Sequence, residues 1–104
     1  MEKANWMGHE FTVYPLDAQW NEVAGVYIFC GVTDQNKWNP LYVGQAERSF
    51  KSRLVPTTHE KWKPALELGA TRIHALVVEL AATRDKIERE LIHAYRPPLN
   101  IQLK

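Results

Sequence analysis

Residues 24–30 read AGVYIFC, a run that is apolar on both of its alternating faces. A run of this kind fits a strand of a sheet that is covered on both of its faces. The next ten residues, GVTDQNKWNP, hold Gly31, Asp34, Asn36, Asn39 and Pro40, all turn-favouring types. They predict a hairpin loop into a second, antiparallel strand over residues 41–44.

The rest of the chain supplies the cover. Phe50 and Leu54 recur at i, i+4 among polar residues, which predicts a short amphipathic helix over 46–55, stopped by Pro56. A second short helix is expected over 63–68, with Pro64 near its start and Gly69 closing it. Residues 72–80, RIHALVVEL, predict a third strand, and 81–95 the longest helix, ended by Pro97 and Pro98. The expectation is an α/β (α+β) fold with a three-stranded antiparallel sheet flanked by helices. A length of 104 residues fits one domain, 1–104, with a motif-bearing core over 23–102 and an N-terminal extension over 1–22. That extension holds Trp6, Phe11, Tyr14 and Trp20 and is too aromatic for a disordered tail.

No apolar run approaches the ~18 residues of a membrane span, and residues 1–9 contain no signal-like apolar stretch, so a cytoplasmic protein without a membrane partner is expected. The lone Cys30 lies in an apolar run and reads as a small buried thiol. The net charge of +1 conceals an uneven distribution. Residues 1–22 carry −3, whereas 45–63 carry +3 from Arg48, Lys51, Arg53, Lys61 and Lys63 against Glu47 and Glu60. Such a patch suits a phosphate backbone, and it equally suits a solvated face.

A helical wheel over 81–95, advancing about 100° per residue from Ile87, places Ile87, Leu91, Ala94, Tyr95, Ala81 and Ile92 on one arc from about −20° to +140°. Glu88 falls inside that arc at about 100°. Burying an unpartnered carboxylate costs several kcal/mol, so Glu88 must be neutralised, paired with a base such as Arg53 or Arg84, or bound to a metal ion. Tyr27 and Tyr42 lie on the two paired strands and share a face if the hairpin register permits, although each alone reads as a packing residue. Glu90 and His93 have a di-metal spacing, but the chain lacks the four helices such a site needs.

Gly25-Val26-Tyr27, then Tyr42-Val43-Gly44 after a hairpin loop, then an arginine and a later helical glutamate, all in order, resemble the GIY-YIG nuclease family over about residues 24–102. The resemblance implies that the two tripeptides open a small antiparallel sheet, with Gly25 and Gly44 in support. It also implies that the family's arginine is Arg53, that its metal-binding glutamate is Glu88, three residues before Leu91, and that its closing asparagine is Asn100. Some members carry a lysine directly after the second tripeptide, where this chain has Gln45; Arg48 or Lys51 are the substitutes at hand. One extra residue separates Gly44 from Arg53 relative to some members. Many members place a histidine a turn beyond the arginine; His59 stands six residues on, and its alternative is a surface position at a helix start.

The implied activity is metal-dependent endonuclease cleavage of double-stranded or branched DNA, in repair or recombination. One Mg²⁺ or Mn²⁺ ion would sit on Glu88, with phosphate oxygens gripped by Arg53. Tyr27 and Tyr42 would orient the water or take its proton, which needs positive charge nearby because a phenol has a pKa of ~10. Arg48, Lys51, Lys61 and Lys63 are the expected DNA contacts. So modest a basic patch binds DNA weakly, so a targeting partner protein is expected. The rivals are a non-cleaving DNA-binding module and a protein-interaction module in which Glu88 and Arg53 form a buried ion pair.

Overall fold

The computed structural model describes residues 1–55 and 58–101. The elements in chain order are β1 (Lys3–Trp6), β2 (His9–Pro15), β3 (Gly25–Val32), β4 (Trp38–Ala46), α1 (Phe50–Arg53), α2 (Trp62–Glu67), β5 (Arg72–Val77) and α3 (Ala81–Tyr95). They form an α+β fold around a five-stranded antiparallel sheet ordered β1-β2-β5-β3-β4. The expectation of three strands is thereby corrected. Residues before Val23 contribute two further strands, and β2 pairs with β5 so that β5 is internal rather than an edge.

Two apolar layers follow from the strand period of two. On β3, Val26, Ile28 and Cys30 point to one face and pack with Trp6, Phe11, Val13 and Val43 beneath Ile87 and Leu91 of α3. Tyr27 and Phe29 point to the other face and pack with Leu41, Phe50, Leu54, Ala65 and Ile73 beneath α1 and α2. The run at 24–30 is thus covered on both sides, as its composition requires. Register shifts between Phe29 and Cys30, because Phe29 opposes Tyr42 while Cys30 opposes Pro40. Leu41 is the extra residue of this β-bulge, which turns it into the same layer as Phe29.

Several boundaries differ from the sequence expectation. Ala46 belongs to β4, which starts at Trp38, so the hairpin loop is shorter and α1 spans only Phe50–Arg53, capped by the Ser49 hydroxyl. The expected stop at Pro56 lies outside the described residues. On α3 the residues that go inside are Arg84, Ile87 and Leu91, while Ala81, Ala94 and Tyr95, at the two ends of the helix, are exposed. A helix packed across a twisted sheet buries only its central turns. Among the described residues no helix is long and apolar enough to cross a membrane.

Candidate active site

Pairing of β3 with β4 sets Tyr27 opposite Gly44 and Phe29 opposite Tyr42, so both tyrosines share the face beneath α1 and α2, their ring centroids 6.3 Å apart. The Tyr27 ring crosses β4 where Gly44 has no side chain. A Cβ there would stand 2.5 Å from the phenol oxygen. Gly25 has a comparable reason: a Cβ would collide with the Leu76 carbonyl on β5 and with the Phe50 ring. The two glycines therefore permit close approach of neighbours.

Tyr27 is fully buried, and its phenol oxygen lies 2.5 Å from Nε2 of His59. His59 is itself 4% exposed, so it is not the surface residue of the alternative reading. Its Nδ1 accepts a hydrogen bond from the backbone N–H of Lys61 at 3.0 Å. A neutral imidazole with Nδ1 accepting carries its proton on Nε2, so His59 donates to the Tyr27 oxygen. Burial, reinforced by the nearby Arg53 charge, lowers the His59 pKa to about 4, which keeps the ring neutral near pH 7. The histidine thus acts as a donor to Tyr27 and not as its base.

Arg53, in the last turn of α1, donates from Nη2 to the Glu60 carboxylate at 2.7 Å. Its charge also acts on both phenols. Burial pushes Tyr27 and Tyr42 above the ordinary tyrosine range, strongly for Tyr27, and Arg53 pulls both back. Sequence reasoning did not single out Glu60; only its proximity to Arg53 along the chain hinted at the pair.

Glu88 is half-buried, on the face of α3 that meets β4. The ion pairs considered from sequence are not formed, because Arg53 holds Glu60 and Arg84 reaches Gln45 instead. Gln45 Nε2 donates to Glu88 Oε1 at 2.8 Å. Burial raises the Glu88 pKa, the Gln45 donor opposes this, and the carboxylates of Asp85 and Glu47 raise it further. A site that penalises a lone negative charge and holds several carboxylates favours a cation. Among the described residues no group of three or more His, Cys, Asp or Glu side chains encloses a metal position. An open polar cleft that offers one or two carboxylates suits Mg²⁺ or Mn²⁺, which keeps most of its coordination for water and phosphate.

Glu88, Tyr42, Arg53 and Arg48 line one open cleft of about 550 Å³, together with Gln45, Glu47, Ser49 and Ser52. The remaining expected residues are distributed around it. Tyr27 and His59 lie buried next to Tyr42, His59 at a ring-centroid distance of 5.8 Å from it. Lys51 is exposed and lies 3.9 Å from Glu22, and Lys61 and Lys63 flank the start of α2; none of the three lines the cleft. Asn100 spans both backbone groups of Val43, accepting from its N–H at 2.7 Å and donating to its C=O at 2.8 Å. It thereby occupies the place of a neighbouring strand along the β4 edge.

No family model matches the chain. It is 34% identical over 87 residues to the UvrABC system protein C of Thermotoga sp. (strain RQ2), a match covering 81% of this chain and 14% of that protein. The corresponding protein of Thermotoga maritima is 35% identical over 86 residues, with coverage of 80% and 14%. The chain therefore spans only a small part of these curated relatives. Among solved structures it is similar to the GIY-YIG N-terminal endonuclease domain of UvrC from Thermotoga maritima bound to its catalytic divalent cation, with a TM-score of 0.62 and 30% identity, covering 80% of this chain and 88% of that one. Another point mutant of that domain gives a TM-score of 0.63 at 29% identity, over the same share of each chain.

Proposed function

The chain belongs to the GIY-YIG endonuclease family, and on that premise we propose that its cleft hydrolyses phosphodiester bonds in DNA with one divalent cation, Mg²⁺ or Mn²⁺, on Glu88. The observation that carries this reading is the convergence of Glu88, Arg53 and Tyr42 on one open cleft. A carboxylate, a permanent cation and a phenol are the three tools that a phosphodiester hydrolase needs at one phosphate. When bound, the cation offsets charge on the attacked phosphate and on the departing oxygen.

Each side chain then has a distinct task. Arg53 exchanges Glu60 for non-bridging phosphate oxygens, a bidentate grip suited to its forked guanidinium. Tyr42 lines the cleft and is the phenol that reaches the attacking water, orienting it and taking its proton. Tyr27 lies below the cleft surface and receives a hydrogen bond from His59, so its task is to hold the Tyr42 and Arg53 side of the cleft in place. Asn100 fixes the β4 edge behind Tyr42. Arg48 meets the DNA backbone at the cleft, with Lys51, Lys61 and Lys63 on the surrounding surface. So few basic contacts give weak nonspecific binding, which supports targeting by a partner protein.

Nicking of supercoiled plasmid in Mg²⁺ or Mn²⁺, run beside Glu88→Ala and Arg53→Ala, tests the proposal. Nicking by the parent and its loss in both folded variants is the expected result. Retarded DNA without strand breaks would replace the enzyme reading with a DNA-binding module. Neither binding nor cleavage by the parent, with unfolding of Glu88→Ala, would replace it with a protein-interaction module.

A further inference from the structure

Arg84 is a charged residue at the centre of the buried face of α3, only 5% exposed. Its Nη1 donates to the carbonyls of Val78 and Glu79, at 3.2 Å each, which anchors the guanidinium to the segment leading into the helix. Its Nε donates to Oε1 of Gln45 on β4 at 2.9 Å. A guanidinium has no acceptor, so this contact fixes which end of the Gln45 amide faces which neighbour. The oxygen must face Arg84, and the NH₂ group must face the other way. There its two hydrogens meet Oδ1 of Asp85 at 2.7 Å and Oε1 of Glu88 at 2.8 Å. The amide is satisfied at both ends.

We propose that Gln45, aimed by the buried Arg84, is a positioning residue for Glu88: it presets the Glu88 carboxylate to receive the divalent cation. This inference rests on the reading of Glu88 as the cation-holding residue. Three features support a role beyond filling space. The contact takes Oε1 of Glu88, and among the described residues no hydrogen bond is made to Oε2, which remains available to a cation. The same NH₂ group binds Asp85 and so shields Glu88 from a second negative charge one helical turn away. Finally, the chain of contacts ends on backbone carbonyls, so the carboxylate's orientation is tied to the fold and not to a mobile side chain. Outer partners of this kind orient metal-binding groups, and their removal typically weakens metal affinity by roughly 10–100-fold.

The test is Mn²⁺ affinity, read from the electron paramagnetic resonance signal of free Mn²⁺ during titration of the whole chain. It compares the parent with Gln45→Leu, Arg84→Met and Glu88→Ala. Gln45→Leu keeps side-chain bulk and removes both donors; Arg84→Met leaves the amide in place but free to turn its oxygen toward Glu88. Each is expected to weaken Mn²⁺ binding by about 10–100-fold, and because the two act in series the double variant is expected to be no weaker than Gln45→Leu alone. A failure to fold in one single variant leaves the other as the test. Affinity within twofold of the parent in a folded Gln45→Leu or Arg84→Met protein, with binding lost in Glu88→Ala, overturns this inference and leaves the proposed cation site standing. Unchanged affinity in Glu88→Ala overturns both.

Discussion

Replacing Gly44 by alanine tests whether the second glycine of the motif exists to let Tyr27 cross β4. The new Cβ would stand 2.5 Å from the Tyr27 oxygen, 2.6 Å from its Cζ and 2.9 Å from Cε2 of Tyr42, well inside contact distance. The Tyr27 ring cannot retreat easily, because it is fully buried and its oxygen is held by His59. Overpacking a core costs about 1–3 kcal/mol. Displacing the phenol would also strip the buried His59 N–H of its acceptor, at about 1–3 kcal/mol. Relief of one strain limits the other, so the expected loss is roughly 2–4 kcal/mol of unfolding free energy. At ~4–8 °C per kcal/mol for a domain of this size, the melting temperature falls by roughly 8–32 °C.

Urea denaturation of parent and Gly44→Ala, beside Gly8→Ala, measures this loss. Gly8 has φ +87° and nothing within 4 Å of an added Cβ, so that control carries only left-handed strain of about 1–2 kcal/mol. The NMR resonances of the His59 ring give a second readout, since displacing the Tyr27 ring moves the phenol that His59 contacts. A Gly44→Ala protein within about 0.5 kcal/mol of the parent, the spread of ordinary surface substitutions, would refute the steric argument. Unshifted His59 ring resonances would refute the displacement of Tyr27.

Asn100→Ala leaves the N–H and C=O of buried Val43 without their partner, so urea denaturation should show a loss of about 1–3 kcal/mol; an unchanged midpoint would mean that water replaces the amide. His59 and His74 both have pKa values lowered by burial to about 4, so the unfolded chain takes up protons first as pH falls. Their stabilisation is complete above about pH 6.5 and is lost on descending toward pH 4, by up to about 3 kcal/mol per histidine, partly offset by the raised pKa of Glu88. Denaturation midpoints that stay flat between pH 7 and 4.5 would contradict this. Glu60→Gln removes a largely exposed partner of Arg53 and should cost less than about 1 kcal/mol in thermal denaturation, whereas a larger loss would make the pair part of the fold.

What the sequence discloses depends on how local its physical cause is. The two-sided burial of β3 and the extent of α3 follow from side-chain period alone, and Glu88 stood out because one wheel sufficed to place it. The β1–β2 hairpin was hidden because its turn uses Met7 at φ 54° before Gly8, and methionine is not a residue that announces a left-handed turn. Arg84 lies at about 60° on the same wheel, the middle of the apolar arc. Its burial was legible there, but a charge is ordinarily assigned to solvent; only the carbonyls of Val78 and Glu79 and the Gln45 amide explain its place. The contact of His59 with Tyr27 joins positions 32 residues apart and arises only in the tertiary fold, which no period encodes. The pairing of Arg53 with Glu60, rather than with Glu88, is likewise a product of tertiary placement.

Where the cation sits is read from an anomalous difference map of crystals of the whole chain grown with Mn²⁺. A peak is expected about 2.1 Å from a Glu88 carboxylate oxygen, inside the cleft lined by Tyr42 and Arg53. A map with no peak there, or with Mn²⁺ bound only at other carboxylates while Glu88 keeps its contact with Gln45, would contradict this placement.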